Sequence, residues 1–274
     1  MRDYKDIKMK TPVTYWGGKQ QLLHEILPMI PPHRQYDEPF FGGGAVFFAK
    51  RPSEIEFIND INGEMINFYR VLKREFSDLK DEVNVTLHSE YQHAQARSIY
   101  ASPLGHNSIM RAWAVWMLSK QSIYAILGNS WRVEIERNSA EAFHRAREAF
   151  TIVYARRLER TSIFARDALS VIEATDTPTT FHYIDPPYYN SDCGHYDGYS
   201  EADFKGLLNA LSTAQGKFLM SSYPSDILSE NIAAHGWRTK EINMRKSAGS
   251  AGGQKVEALT WNYNENAPRQ GELF

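Results

Sequence analysis

The 274-residue chain has one cysteine, Cys193, which excludes an intrachain disulfide and any cysteine-built metal cluster. A chain so poor in thiols is expected in a reducing cytoplasm. It also lacks a long apolar run. The longest stretch, AWAVWML at 112–118, is far too short to cross a bilayer. The first ten residues, MRDYKDIKMK, are charged and have no apolar core of the kind a signal peptide needs. There is no internal repeat, no extended low-complexity segment and almost no net charge, the balance being −2. That balance hides a contrast. Residues 70–165 hold 14 Lys and Arg against 10 Asp and Glu, leaving 17 against 23 elsewhere. A basic middle in an acidic body fits a module that meets a polyanion, although a solvated helical surface would give the same count.

The hydrophobic pattern divides the chain in the same places. In the first 70 residues, RQYDEPFFGGGAVFFAK and EIEFINDINGEMINFYRVLKRE each read as a strand, a turn and a helix. The second helix carries Met65, Phe68, Tyr69 and Leu72 at helical spacing. Two such units in succession predict a parallel, doubly wound sheet. Residues 73 to about 160 show helical periodicity and little else, with one helix opened by Ser139 and with Trp113, Trp116, Phe143, Phe150 and Tyr154 as core. After 160 the α/β character returns in TSIFARDALSVI and TFHYIDPPYY, with strands expected at GKFLMSSY and VEALTWNY. Helices are expected from Ala202 to Ala214 and after Pro224, and SAGSAGGQ at 247–254 is expected as a flexible loop.

Three turns could carry chemistry. EPFFGGG places Phe40, Gly42 and Gly44 between a strand and a helix, where glycines let backbone approach a ligand. The next strand ends at Asp60, suited to ribose hydroxyls but equally to capping the following helix. YWGGK at 15–19 is a second glycine turn, in which Lys19 could hold a carboxylate or stay a solvated cation. FHYIDPPYYNS, residues 181–191, runs an apolar strand into an acid, two prolines and two tyrosines. The prolines stiffen the exit in an extended form. Asp185 and the Pro186 carbonyl can accept two hydrogen bonds from an exocyclic amine, while Tyr188 offers a face on which a planar ring can stack. Acceptors that draw on the amine's protons favour attack of its lone pair on an activated methyl group.

In that order, YWGGK, EPFFGGG, INDIN and DPPY resemble the Dam-type DNA adenine methyltransferases, over about residues 11–70 and 160–264. The resemblance implies a Rossmann-like α/β fold dependent on S-adenosylmethionine, with a helical target-recognition insertion at 71–159 and a flexible tail at 265–274. It implies N6 methylation of an adenine flipped out of double-stranded DNA, since the paired amine is out of reach inside the duplex. Carried onto this sequence, it places Tyr15, Trp16, Gly17, Lys19, Glu38, Phe40, Gly42, Gly44, Asp60 and Asp167 around the cofactor. Asp185, Pro186, Pro187 and Tyr188 fall at the target base. The loop 190–198 would cover that base, and its Cys193 and His195 need no metal. The insertion departs from the family pattern, showing little hairpin signal; Lys120, Gln121, Ser122, Asn129, Trp131 and Arg132 are its candidates for DNA contact. Gln270, Leu273 and Phe274 resemble the short peptide that docks bacterial DNA-processing proteins on the sliding clamp. Monomeric action is expected, because each strand of a site can be modified in a separate event. Cytosine-N4 methylation on the same fold, and an inactive DNA-binding module, are the competing readings.

Overall fold

The computed structural model describes residues 9–189, 199–245 and 254–264. The expected lid at 190–198 with Cys193 and His195, the loop 247–253 and the tail with Gln270, Leu273 and Phe274 lie outside the described residues. Among the described residues seven strands follow one another: β1 (Gln35–Glu38), β2 (Ile55–Asn59), β3 (Thr161–Phe164), β4 (Thr180–Ile184), β5 (Lys217–Ser222), β6 (Arg238–Arg245) and β7 (Gln254–Trp261). Their order in the sheet is β3-β2-β1-β4-β5-β7-β6. β1 pairs in parallel with β2 and β4, and β4 with β5, whereas β7 runs antiparallel to both β5 and β6. This is the Rossmann-like α/β sheet that the sequence predicts. Strand order reverses between β1 and β4, so the carboxyl ends of those two strands form the switch point where open α/β sheets bind ligands. β1 delivers the chain to Glu38-Pro39-Phe40 there, and β4 delivers it to Asp185.

The chain separates into two compact units. One takes in the chain through His24, Gly42–Pro52 and Asp60–Ala165. After α1 (Leu23–Ile26), where the chain leaves this unit, it holds α2 (Ala45–Ala49) and then α3 to α8: Gly63–Arg74, Phe76–Val85, Glu90–Ala101, Ser108–Gln121, Ser139–Glu148 and Val153–Leu158. α6 (Ser108–Gln121) is its axle. Asn107 caps it by accepting from Met110 N–H. Every residue from Ala112 to Ser119 is buried, as expected of a helix that is apolar all round. The Trp116 ring lies 5.5 Å from Phe143 and 5.7 Å from Phe150, so the aromatics expected as core are core. α7 (Ser139–Glu148) starts from Asn138, whose side chain accepts from Glu141 N–H, one residue before the expected Ser139. Either residue type serves that position, so sequence alone leaves the boundary open by a residue.

The other unit takes in Glu25–Phe41, Ser53–Asn59 and the chain from Arg166 onward. Its helices α9 (Ala168–Thr175), α10 (Glu201–Thr213) and α11 (Asp226–His235) pack with the strands around Ile184, Leu207, Phe218, Met220 and Trp237. Ser200 and Asp203 close a reciprocal capping box at the start of α10. Among the described residues no helix is long and apolar enough to cross a membrane.

Candidate active site

Each unit carries part of the predicted site. In the second, β4 is buried along its whole length, and Asp185, Pro186, Pro187 and Tyr188 follow it without a break. Tyr188 is the centre of a dense polar contact. Its hydroxyl donates to Glu257 Oε1 and stands 3.4 Å from both Asp185 Oδ1 and Ser221 Oγ. Ser221 also donates to Glu257 Oε1, at 2.6 Å. Burial, then the nearby charges of Asp185 and Glu257, push the Tyr188 phenol well above its ordinary value, so it stays a proton donor. The Tyr188 ring meets Tyr223 at 4.3 Å between centroids, and the two line a recess with Pro187, Tyr189, Phe204 and Ser222.

Ser221 and Glu257 were not among the residues expected here. The antiparallel register explains them. Ser221 of β5 is opposite Leu259 of β7, so Glu257, two residues along on the same face, is Ser221's diagonal neighbour. Glu257 is only 1% exposed, a burial that its local sequence VEALTW does not announce before the strands are paired.

Also in this unit, Glu38 is buried and accepts from Tyr36 O–H at 2.6 Å. Phe40 is half-buried, edge-on to Tyr199 at 6.4 Å. Exposed Asp167 caps α9, accepting from Ser170 N–H at 3.1 Å. Behind the strand ends, His182 lies fully buried between Asp37 Oδ2 at 2.9 Å and Asp176 Oδ1 at 3.2 Å.

In the first unit, the glycine turn is built around Asp60. Its Oδ2 accepts from Gly42 N–H at 2.7 Å and its Oδ1 from Asn62 N–H at 2.9 Å, while Tyr69 O–H donates to the Gly42 carbonyl at 2.8 Å. Asn62 in turn caps α3 (Gly63–Arg74). Burial raises the Asp60 carboxyl above its usual value against the pull of those two N–H groups. Gly42 has φ +45°, and a Cβ there would sit 3.0 Å from Tyr15 Cδ1. Gly44, at φ 65°, precedes α2. Such a turn, closed against Tyr15 and braced by a carboxylate whose oxygens can each accept a second hydrogen bond, fits the ribose end of a nucleoside cofactor. Tyr15 thus touches the turn. Gly17 has φ 76°, and Lys19 is buried with its Nζ 3.0 Å from the Gly17 carbonyl. Trp16 meets Tyr124 edge-on at 5.6 Å.

The DNA-contact candidates separate into braces and outward groups. Ile123 N–H donates to the Ser130 carbonyl and Arg132 N–H to that of Gln121, with Ser122 bridging Trp131 antiparallel. The segment therefore closes as a loop on a short bridge, despite its weak hairpin signal. Gln121 and Ser122 are corrections: both are buried and committed within the protein, so neither is placed to read a base edge. The Gln121 amide accepts from Ser89 N–H and Trp131 Nε1 and donates to the Leu87 carbonyl. Ser122 Oγ pairs with His93 Nε2 at 2.9 Å. Trp131 and Asn129 are half-buried, Trp131 lying 5.0 Å from the His88 ring. Lys120 is half-buried near Thr14 Oγ1 at 3.4 Å, and burial pulls its ammonium down to about 8. Arg132 points outward, 3.9 Å from Glu134.

Residues 15–242 match the family described as D12 class N6 adenine-specific DNA methyltransferase. A type II methyltransferase of Lactococcus lactis subsp. cremoris is 48% identical over 64 residues, covering 23% of this chain and 22% of its own length. The DNA N-6-adenine-methyltransferase of Escherichia phage P1 is 43% identical over 63 residues, 23% of this chain and 8% of that protein. A DNA adenine methylase of Vibrio cholerae is 38% identical over 68 residues, 25% of this chain and 24% of its own. These matches thus span less than a quarter of each relative. Among solved structures, an rRNA methyltransferase of Streptomyces viridochromogenes covers 88% of this chain and 80% of its own at 13% identity, with a TM-score of 0.35.

Proposed function

The chain belongs to the D12 class N6 adenine-specific DNA methyltransferase family, and from that premise we propose that it methylates the N6 amine of adenine in double-stranded DNA, using S-adenosylmethionine. The observation that carries this reading is the Asp185-Pro186-Pro187-Tyr188 segment at the carboxyl end of β4, beside the β1/β4 switch point. Bound S-adenosylmethionine supplies an electrophilic methyl group. The turn at Gly42 and Gly44, with Asp60, Glu38, Phe40, Asp167 and the Tyr15–Lys19 segment, would hold it. The chain's own work is positioning. Asp185 and the Pro186 carbonyl accept from the flipped amine, so its lone pair is turned from the ring toward the methyl group. Tyr188 stacks on the base, and Pro187 holds the exit rigid.

On this reading residues 1–70 and 160–264 catalyse, while the helical stretch 71–159 recognises DNA, with Arg132 the foremost outward contact. The tail residues Gln270, Leu273 and Phe274 are proposed to dock on the bacterial sliding clamp. Deleting residues 270–274 should weaken clamp binding, and an unaltered affinity ends that part of the proposal. The activity itself is tested by incubating unmethylated genomic DNA with labelled S-adenosylmethionine and sequencing for modified adenines, with Asp185→Ala alongside. N6-methyladenine at one short motif, absent with the variant, is the expected result. Cofactor binding without methyl incorporation would point instead to an inactive DNA-binding protein.

A further inference from the structure

A ribose hydroxyl both donates and accepts, so a site that holds it well offers an acceptor and a donor. Asp60 offers only the first. Its carboxylate, held by Gly42 N–H at 2.7 Å and Asn62 N–H at 2.9 Å, can accept from a sugar hydroxyl but has no proton to return. Asn62 leads from that carboxylate to a donor. Its Oδ1 accepts from Glu64 N–H at 3.0 Å and Met65 N–H at 3.3 Å, so its amide nitrogen must face away from the helix, where it donates to the Tyr100 hydroxyl at 2.9 Å. An amide NH2 can only donate. The Tyr100 oxygen therefore accepts there, and the phenol's own proton points elsewhere.

Among the described residues no acceptor takes that proton. The neighbouring Glu64 carboxylate has both oxygens on the Arg111 guanidinium, at 2.5 and 3.0 Å. Tyr100 is a half-buried residue of α5, in the same compact unit as the glycine turn and Asp60. Burial raises its phenol above the ordinary value against the pull of the Asn62 amide, and the charges of Glu64 and Asp60 add to the rise. The hydroxyl thus keeps its proton at neutral pH. We propose that Tyr100 is a cofactor-binding residue: with its oxygen held by Asn62, it donates to the ribose oxygen of S-adenosylmethionine whose own proton goes to Asp60. The inference rests on the functional reading above and deepens it, by assigning a cofactor contact to the helical stretch 71–159.

A tyrosine that merely anchors α5 to the start of α3 would behave differently. Losing an anchor weakens every ligand of the turn alike, whereas losing a donor weakens only ligands that carry the hydroxyl it meets. The test is calorimetric titration of the full-length wild type and Tyr100→Phe with S-adenosylhomocysteine and with its 2′-deoxy and 3′-deoxy analogues. Tyr100→Phe should weaken S-adenosylhomocysteine by about 2- to 12-fold, the loss of one uncharged hydrogen bond. For the analogue that lacks the hydroxyl Tyr100 meets, wild type and variant should bind alike. Asn62→Asp provides a second route should Tyr100→Phe not fold. It keeps a helix-capping side chain but sets an acceptor against Tyr100, which captures the phenol's proton, and the same preference for that hydroxyl should disappear. Equal affinity of wild type and Tyr100→Phe for S-adenosylhomocysteine, or an equal loss for all three ligands, overturns the inference while the functional reading stands. A wild type that binds no S-adenosylhomocysteine overturns both.

Discussion

Replacing Asp60 by Asn is predicted to loosen the glycine turn and the start of α3 together. The carboxylate now accepts two backbone N–H groups, Gly42 on one oxygen and Asn62 on the other. An asparagine offers one acceptor oxygen and one NH2, so one of those two N–H groups must face a donor. A buried donor left unpaired costs about 1–3 kcal/mol. At about 2–4 °C per kcal/mol for a chain of this size, Tm should fall by roughly 2–12 °C. The effect on cofactor is separate. Loss of a charged acceptor for a ribose hydroxyl removes about 1.5–3 kcal/mol, which weakens Kd by about 10- to 150-fold. Thermal denaturation with and without S-adenosylhomocysteine, together with calorimetric titration of that ligand, reads both quantities on the same preparation. A variant with lowered Tm but wild-type Kd would refute the ribose role and keep the bracing one. A variant unchanged in both would refute the account of Asp60 altogether.

Other consequences are checked more simply. His182 is buried, which alone would lower its pKa, but the hydrogen bonds and charges of Asp176 and Asp37 outweigh burial and raise it above its ordinary 6.5. Its contribution to stability is then complete below that value and is lost as pH rises through the folded one, so urea midpoints of the wild type should decline across the neutral-to-alkaline range relative to His182→Gln. Parallel profiles for the two proteins would contradict this. Gly42→Ala puts an L side chain at φ +45° with its Cβ 3.0 Å from Tyr15 Cδ1; it should cost roughly 1–2 kcal/mol in urea unfolding, and a neutral change would be fatal to that reasoning. Arg132→Ala, at an exposed position, should leave urea stability unchanged while weakening DNA binding and reducing the salt slope by about one. DNA affinity equal to wild type at every salt concentration removes Arg132 from the interface.

What could be read from the chain in advance divides along a physical line. The stretch 185–188 was legible because its behaviour is written in its own covalent structure: two prolines that fix the exit, an acid before them and an aromatic after. The same holds for α3, whose Met65, Phe68, Tyr69 and Leu72 recur at helical spacing and are all fully buried. β6 was not legible. Among the described residues it is an edge strand, bonded through β7, with Arg238, Lys240 and Glu241 exposed, and charge of that kind protects an edge while erasing the apolar alternation that announces a strand. Gln121 misled for a related reason. A polar amide at the end of a helix looks like a reader of bases, yet its partners are Leu87, Ser89 and Trp131, up to 34 residues away in sequence. Glu257 is the sharpest case. Read locally, VEALTW sets a glutamate between apolar residues and suggests a solvent-facing position. Only the register that places β7 against β5 turns that side chain under Tyr188, 69 residues earlier in the chain. A role that depends on a residue's own backbone is visible in the residue's neighbours. A role that depends on what a distant strand brings beside it becomes visible only once the strands are paired, and the contact between Glu257 and Tyr188 is of that second kind.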